Sequence, residues 1–112
     1  MSKTVKLLKV KYYDWLDSGE FRATYHTMDE TPKQYKSTGA GYNWIIKKED
    51  IGWVSPYNEI YVVADESNEN QVQETVSVLY KTMLDRKQKK IDTLVAEMDK
   101  LIDTKEKFMK AE

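Results

Sequence analysis

The sequence lacks cysteine and has a single histidine, His26. Without cysteine, the chain can form no disulfide, no thiolate nucleophile and no cysteine-ligated zinc site. A metal site would have to be mostly carboxylate, and a serine nucleophile would have only His26 as its base. An imidazole in a predicted strand, exposed beside Arg22 or hydrogen-bonded locally, is the simpler interpretation. The sequence therefore predicts no catalytic residue, no metal, no cofactor and no enzyme activity.

The sequence also lacks long hydrophobic runs and an excess of one charge. No apolar run approaches the roughly 18–20 residues that span a bilayer, and no apolar stretch of a secretory signal follows Met1–Lys6. Lysine and arginine total 18 against 19 aspartate and glutamate, a formal net charge of −1. Such a balance gives no strong field toward nucleic acid or anionic membranes. We expect a cytoplasmic protein with no membrane contact, and the charge argues against nucleic acid as its partner.

Glycine, proline and aromatic residues are scarce in the second part of the chain. All 4 glycines and both prolines precede Asp65, and only Tyr80 and Phe108 of the aromatic residues follow it. The first part therefore has β-propensity and turn chemistry, and the second has neither. We predict an α+β fold in a single domain. Residues 1–66 form a small antiparallel sheet of four or five strands, packed on one long C-terminal helix over residues 67–112.

Alternation of apolar and polar residues sets the details of the predicted sheet. The pattern changes phase at Leu7 and Leu8, which suggests a bulge or bend in the first strand. Residues 17–20 read as a turn. In the second strand, the face with Phe21, Ala23 and Tyr25 is the better candidate for the core. The last strand is the most apolar and is expected at the centre of the sheet. The predicted strands cover residues 5–13, 21–28, 33–36, 42–48 and 59–64.

A helical period begins near Asn68, where Asn68 and Gln71 resemble a capping box. The first apolar stripe of the helix suits the covering of a sheet face. A polar stretch at residues 85–90 follows, with a basic cluster that would bind an anion in a parallel assembly or lie in a solvated turn. Beyond it, spacings of three and four form a narrow coiled-coil seam, the predicted oligomerisation site. The stripe comprises Val72, Val76, Leu79, Tyr80, Met83 and Leu84, the basic cluster Arg86, Lys87, Lys89 and Lys90, and the seam Ile91, Leu94, Met98 and Leu101.

Two interpretations of this helix remain open. A continuous helix from Asn68 would extend roughly 60 Å at 1.5 Å per residue, more than a small sheet can cover, so its distal half would need a partner. Self-association into a homo-oligomer supplies one. Alternatively, the helix breaks near Gln88 and its second half folds back. The absence of glycine and proline favours the first interpretation, while the shortness of the seam weakens it.

Aromatic and basic residues are interleaved in the first part of the chain. Tyrosine and tryptophan are too numerous for one face of a small sheet, so some of them must lie on the other face or in loops. Such residues are enriched at interfaces, and nucleobases stack on them while cations hold phosphate. The simplest alternative is that these side chains divide between core and rim. The candidate ligand-binding residues are Arg22, Tyr35, Lys36, Tyr42, Trp44 and Lys48.

Three segments resemble small accessory proteins of bacteriophages and prophages, which have a few strands followed by one long charged helix. They are residues 31–35 (TPKQY), 45–52 (IIKKEDIG) and 60–65 (IYVVAD). The resemblance implies no catalysis and names no site residues. It implies an anti-defence role in the host cytoplasm, either blocking a host enzyme or sequestering a nucleotide signal.

The sequence thus predicts a non-enzymatic, homo-oligomeric binding protein whose ligand is nucleotide-like. A protein–protein inhibitor or adaptor that acts on a host protein is the competing class, with the same aromatic residues as hot spots. Binding of single-stranded nucleic acid is the third class, and the near-zero net charge counts against it.

Overall fold

The structure, a computed structural model, describes residues 3–15, 17–38 and 44–111 of the chain. Within them the elements are β1 (Lys3–Trp15), β2 (Ser18–Glu30), β3 (Gln34–Ser37), β4 (Ile45–Lys47), a 3-10 turn (Lys48–Asp50), β5 (Glu59–Val63) and α1 (Gln71–Lys110). These strands form one antiparallel sheet in the order β4-β3-β2-β1-β5, which together with the C-terminal helix confirms the α+β prediction. The predicted strand over residues 42–48 is present at Ile45–Lys47, and Tyr42 lies outside the described residues.

The register of β1 against β2 corrects two sequence-based expectations. Pairing runs without interruption from Lys3 opposite Glu30 to Trp15 opposite Ser18. No bulge is therefore present at Leu7 and Leu8. Neighbouring residues of a regular strand point to opposite faces of the sheet, and both side chains are fully buried because both faces are covered here. Ser18, Gly19 and Glu20 belong to β2 and not to a turn.

The two faces of the sheet bury different residues. The Leu7 face holds a core of Leu7, Met28, Tyr35 and Ile46. On the opposite Leu8 face, Leu8, Val10 and Ile60 are buried. Antiparallel partners share a face, and the register assigns these residues because Leu7 pairs with His26 and Leu8 with Tyr25.

The predicted core face of β2 is wrong. Phe21 and Ala23 are exposed, and Tyr25 is 52% exposed, whereas Met28 on the other face is 1% exposed. Within the strands that the structure describes, the buried residues of the Leu8 face belong to β1 and β5, and β2 lies one strand farther from β5, to which the helix is connected. Alternation correctly grouped the side chains of β2 but gave no information on which group would be covered.

The last strand lies at the edge of the sheet, not at its centre. Among the described strands, β5 pairs with β1 alone, from Glu59 opposite Lys11 to Val63 opposite Leu7. The loop before it covers part of its second edge, because the backbone N–H groups of Gly52 and Ser55 donate to the carbonyls of Tyr61 and Glu59, each at 2.8 Å. Such a loop protects an edge strand and lets it carry apolar residues.

Side-chain hydrogen bonds join the start of α1 to the end of β5. The Gln71 amide nitrogen donates to the Val63 carbonyl at 2.8 Å, and its oxygen accepts from the Asp65 backbone N–H at 2.9 Å. The Asn68 side-chain oxygen accepts from the backbone N–H of Asn70 at 3.0 Å. The expected capping box between Asn68 and Gln71 is therefore absent, and each side chain satisfies backbone groups elsewhere.

Replacement of Gln71 by alanine is expected to lower the free energy of unfolding by about 1 kcal/mol, because two hydrogen bonds to partly solvated backbone groups are lost. Gln73→Ala, at an exposed position in the same helical turn, is the matched control and should change stability by less than about 0.5 kcal/mol. Urea denaturation followed by circular dichroism measures both variants. Equal effects of the two substitutions would contradict the role assigned to Gln71.

Helix α1 is continuous for 40 residues from Gln71 to Lys110, about 60 Å at 1.5 Å per residue. The expected alternative, a break near Gln88, does not occur. The chain divides into two units, Met1–Tyr80 and Lys81–Glu112. In the first, Thr75 and Leu79 are the buried helix residues; Tyr80, expected to cover the sheet, is exposed. Among the described residues, no helix is both long and apolar enough to cross a membrane.

Candidate functional site

Alternate residues of β1 and β2 place cations and aromatic rings on the Leu7 face, beyond its apolar core. Odd-numbered β1 residues share this face, and the register adds Arg22 opposite Lys11 and Tyr61 opposite Lys9. We call this group the cation–aromatic strip. It consists of Lys9, Lys11, Tyr13, Trp15, Arg22, Trp44 and Tyr61.

One end of the strip is built around Trp44. The indole ring packs edge-on against the rings of His26 and Tyr61, with centroids 4.8 Å and 5.5 Å away. Lys9 Nζ lies 5.8 Å from the Trp44 ring and 5.9 Å from the Tyr61 ring. Both distances are within the range in which a ring quadrupole attracts a cation. The ammonium group is therefore held over two aromatic rings.

Two side chains that pack against Trp44, His26 and Tyr61, have pKa values shifted toward their neutral forms. Burial, assisted by the charge of Lys9, lowers the pKa of His26, so that its imidazole is neutral at pH 7. The neutral ring hydrogen-bonds through Nε2 with Thr24 Oγ1 at 2.9 Å. Burial and the neighbouring Glu59 carboxylate raise the pKa of Tyr61, which keeps its phenol protonated. This end of the strip thus has Lys9 as its cation.

The other end of the strip is a stack at the end of the β1–β2 hairpin. The rings of Tyr13 and Trp15 lie 5.9 Å apart and nearly parallel. The Arg22 guanidinium lies over both, at 4.9 Å and 5.9 Å, and Lys11 Nζ is 5.3 Å from Tyr13. A hydrogen bond from Arg22 lowers the pKa of Glu20 and fixes the guanidinium over the rings. The result is an exposed platform of flat π-systems with a cation on it.

The carboxylate of Glu59 lies between the two ends. Its Oε2 atom is 3.9 Å from Lys9 Nζ and 3.6 Å from Lys11 Nζ. These side chains are partly buried, and one carboxylate serves two ammonium groups. The pair of lysines therefore retains a net positive charge that an anionic ligand could neutralise.

A depression of about 360 Å³ adjoins the Trp44 end of the strip. Its size is at the lower limit of typical ligand pockets, about 300–1,000 Å³. The loop over residues 51–58 forms one wall, and Gly52 enables the turn there with φ at 84°. Rings of Trp44, Trp53 and Tyr61 and the carboxyl-bearing side chains Asp50 and Glu59 are among the lining residues. The depression offers stacking surfaces together with hydrogen-bond acceptors.

The five predicted ligand-binding residues that the structure describes do not form one site. Tyr35 is 6% exposed in the core, and Lys48 lies 5.4 Å from its ring and 2.9 Å from Glu30 Oε1. Lys36 pairs with Asp29 and lies exposed on the Leu8 face, because neighbouring strand residues point in opposite directions. Tyr42 is outside the described residues.

Arg22 and Trp44 do lie on the cation–aromatic strip, at its two ends. Sequence reasoning missed Lys9, Lys11 and Tyr61 as their companions. The alternation in β1 was the available signal, since Lys9, Lys11, Tyr13 and Trp15 occur at every second position. The pairing of β5 with β1 carried no comparable sequence signal.

The predicted oligomerisation residues form an exposed line on the unit Lys81–Glu112. Ile91, Leu94, Met98 and Leu101 are between 51% and 71% exposed. Val95 is 50% exposed and Ile102 is 55% exposed, so the apolar stripe is wider than the predicted seam. An apolar line this long on a charged helix is a surface suited to another helix.

Within residues 3–15, 17–38 and 44–111, no three histidine, aspartate or glutamate side chains are grouped so that they could hold a metal ion. Comparisons of this chain with protein-family models, with curated proteins and with solved structures found no match.

Proposed function

We propose that the chain is a non-enzymatic, homo-oligomeric binding protein whose ligand is an aromatic anion of the nucleotide class. The observation that carries the proposal is the position of Lys9 over the rings of Trp44 and Tyr61, beside an open depression. A nucleobase can stack on these rings, and a phosphate can reach the ammonium groups of Lys9 and Lys11. Self-association through the exposed helix stripe would multiply such sites in one assembly.

The charges of the strip support a ligand with a small negative charge. Lys9, Lys11 and Arg22 provide three cations, against the carboxylates of Glu20 and Glu59. A nucleotide would be bound mainly by stacking, with one or two charge-assisted hydrogen bonds to its phosphate. We extend the proposal to an anti-defence role, which the three segments that resemble phage accessory proteins support; in that role the protein would sequester a nucleotide signal.

Isothermal titration calorimetry with nucleoside mono-, di- and triphosphates and cyclic dinucleotides tests the proposal. One of these compounds is expected to bind with micromolar affinity and to raise the melting temperature, since a ligand that binds only the folded state stabilises it. Lys9→Gln should weaken binding at least about tenfold, or roughly 1.4 kcal/mol. The control Lys33→Gln removes the same charge at an exposed position outside the strip and should leave affinity unchanged.

The proposal fails if no nucleotide in this series binds at millimolar concentration. It also fails if Lys9→Gln and Lys33→Gln behave alike with a nucleotide that does bind. In that case phosphate would be held by general surface charge, and affinity would fall steeply with added salt, as for single-stranded nucleic-acid binding.

A second candidate, a protein–protein inhibitor or adaptor, is supported by the loop before β5. Trp53 and Tyr57 are each 75% exposed there. Tryptophan and tyrosine are typical hot-spot residues of protein interfaces. Tyr57→Ala separates the two functions, because Tyr57, unlike Trp53, is not among the residues that line the depression. The substitution would weaken binding of a host protein and leave the Lys9-dependent nucleotide affinity unchanged.

A further inference from the structure

The apolar stripe on the distal helix has a defined position in a seven-residue repeat. Leu84, Ile91 and Met98 recur every seven residues and form one line of the seam. Leu94 and Leu101 form the second line, because they follow Ile91 and Met98 by three residues. Each of these side chains is at least 47% exposed. The same repeat also places Lys87 and Lys105 on the seam.

Charge is distributed unevenly along the same segment. Residues 86–90 carry four positive charges, Arg86, Lys87, Lys89 and Lys90. Residues 92–103 carry four acidic side chains, Asp92, Glu97, Asp99 and Asp103, against one lysine, Lys100. By the same repeat, Lys87 lies on the seam, and Lys90 and Glu97 are the charged residues of these segments that flank it directly.

A parallel, in-register pair would bring equal charges together within the seam. Lys87 would face Lys87 of the second copy, and Lys105 would face Lys105. Like charges in a partly desolvated seam oppose association, and their repulsion is only weakly screened. An antiparallel pair instead separates the two copies of Lys87 and brings Lys90 of each helix beside Glu97 of the other.

We infer that the distal helix pairs antiparallel with that of a second copy of this chain, with the twofold axis between Asp92 and Thr93. In this register Ile91 lies opposite Leu94 of the second copy, and Leu84 lies opposite Leu101. Lys90 and Glu97 of the two copies form flanking ion pairs, twice by symmetry. The inference rests on the self-association part of the proposed function and specifies its geometry.

Cysteine cross-linking tests the orientation directly, because the natural chain has no cysteine. Two single variants, Leu84→Cys and Leu101→Cys, are oxidised separately and as an equimolar mixture, and the products are identified by mass spectrometry. A disulfide requires Cα atoms within about 7 Å. The two positions are about 25 Å apart along one helix, so each orientation permits a different product.

The antiparallel pair predicts a disulfide between the two different variants and none in either variant alone. A disulfide within Leu84→Cys alone, or within Leu101→Cys alone, would show a parallel pair and overturn the inference. Absence of any cross-link, with circular dichroism showing an intact helix, would overturn it as well. Native mass spectrometry separates these outcomes from a failure of self-association, and calorimetry with nucleotide measures ligand binding independently.

Charge exchange gives a second test that needs no cross-link. Lys90→Glu and Glu97→Lys should each weaken the dimer by about three- to tenfold, and the double variant should restore most of the loss, because the flanking pairs are re-formed with reversed charge. In a parallel pair these two positions do not face each other, so their effects would simply add. Additive effects would therefore contradict the antiparallel arrangement.

Discussion

Replacement of Met28 by alanine is expected to lower the free energy of unfolding by about 2–5 kcal/mol. Met28 is 1% exposed and lies with Leu7, Tyr35 and Ile46 in the core of the Leu7 face. Truncation to alanine removes buried apolar area and leaves a cavity among side chains that belong to different strands. In a protein of this size such a loss is a large part of the total stability, which is about 5–15 kcal/mol for typical domains.

The matched control is Tyr25→Ala on the other face of the same strand. Tyr25 is 52% exposed, so its truncation should cost about 1 kcal/mol or less, although its side chain is larger. Urea denaturation monitored by circular dichroism gives both values. A larger loss for Tyr25→Ala than for Met28→Ala would contradict the assignment of the core to the Leu7 face.

Introduction of a charge into the helix stripe by Leu94→Asp is expected to abolish self-association. Leu94 is 58% exposed in one chain and lies at the centre of the seam. Burial of an unpaired carboxylate between two helices costs several kcal/mol, which corresponds to a weakening of the assembly by at least about 100-fold. Native mass spectrometry and sedimentation at micromolar concentration should show a monomer.

Ala96→Asp adds the same charge on the opposite side of the helix and is the control. It should leave the mass of the assembly unchanged, because residue 96 lies well away from the stripe that includes Leu94 and Met98. If both variants dissociate the assembly equally, overall charge and not the seam controls association. If the unmodified chain is itself monomeric, the proposed self-association is wrong.

Much of the architecture follows from sequence because the relevant signals are local. The confinement of glycine and proline to the first part, and the helical spacing from Val72 onward, gave the α+β fold and one long helix. The period of the seam likewise identified Ile91, Leu94, Met98 and Leu101 as one exposed line. These properties depend on neighbours within a few residues along the chain.

The position of β5 and the membership of the candidate site depend instead on distant pairings. β5 is strongly apolar yet lies at an edge, because a loop and not a strand covers its second side. Lys9 meets Trp44 and Tyr61 only because the last strand returns beside the first. The buried state of Tyr35 follows from packing that its own polar neighbours, Gln34 and Lys36, do not reveal.

The uneven lengths of the strands have a consequence for motion within the sheet. β5 pairs with β1 only from Leu7 to Lys11, and β3 pairs with β2 only from Met28 to Glu30. Among the described strands, the far part of the hairpin is therefore a two-stranded ribbon, an arrangement that is marginal in water by itself. Few side-chain contacts hold it besides the Tyr13, Trp15 and Arg22 stack on one face and the Tyr12–Phe21 ring pair on the other. This ribbon is therefore expected to open on a faster timescale than the rest of the sheet. A ligand that stacks on these rings would slow that opening, and its binding would be detected as slower hydrogen exchange of the backbone amides along the hairpin.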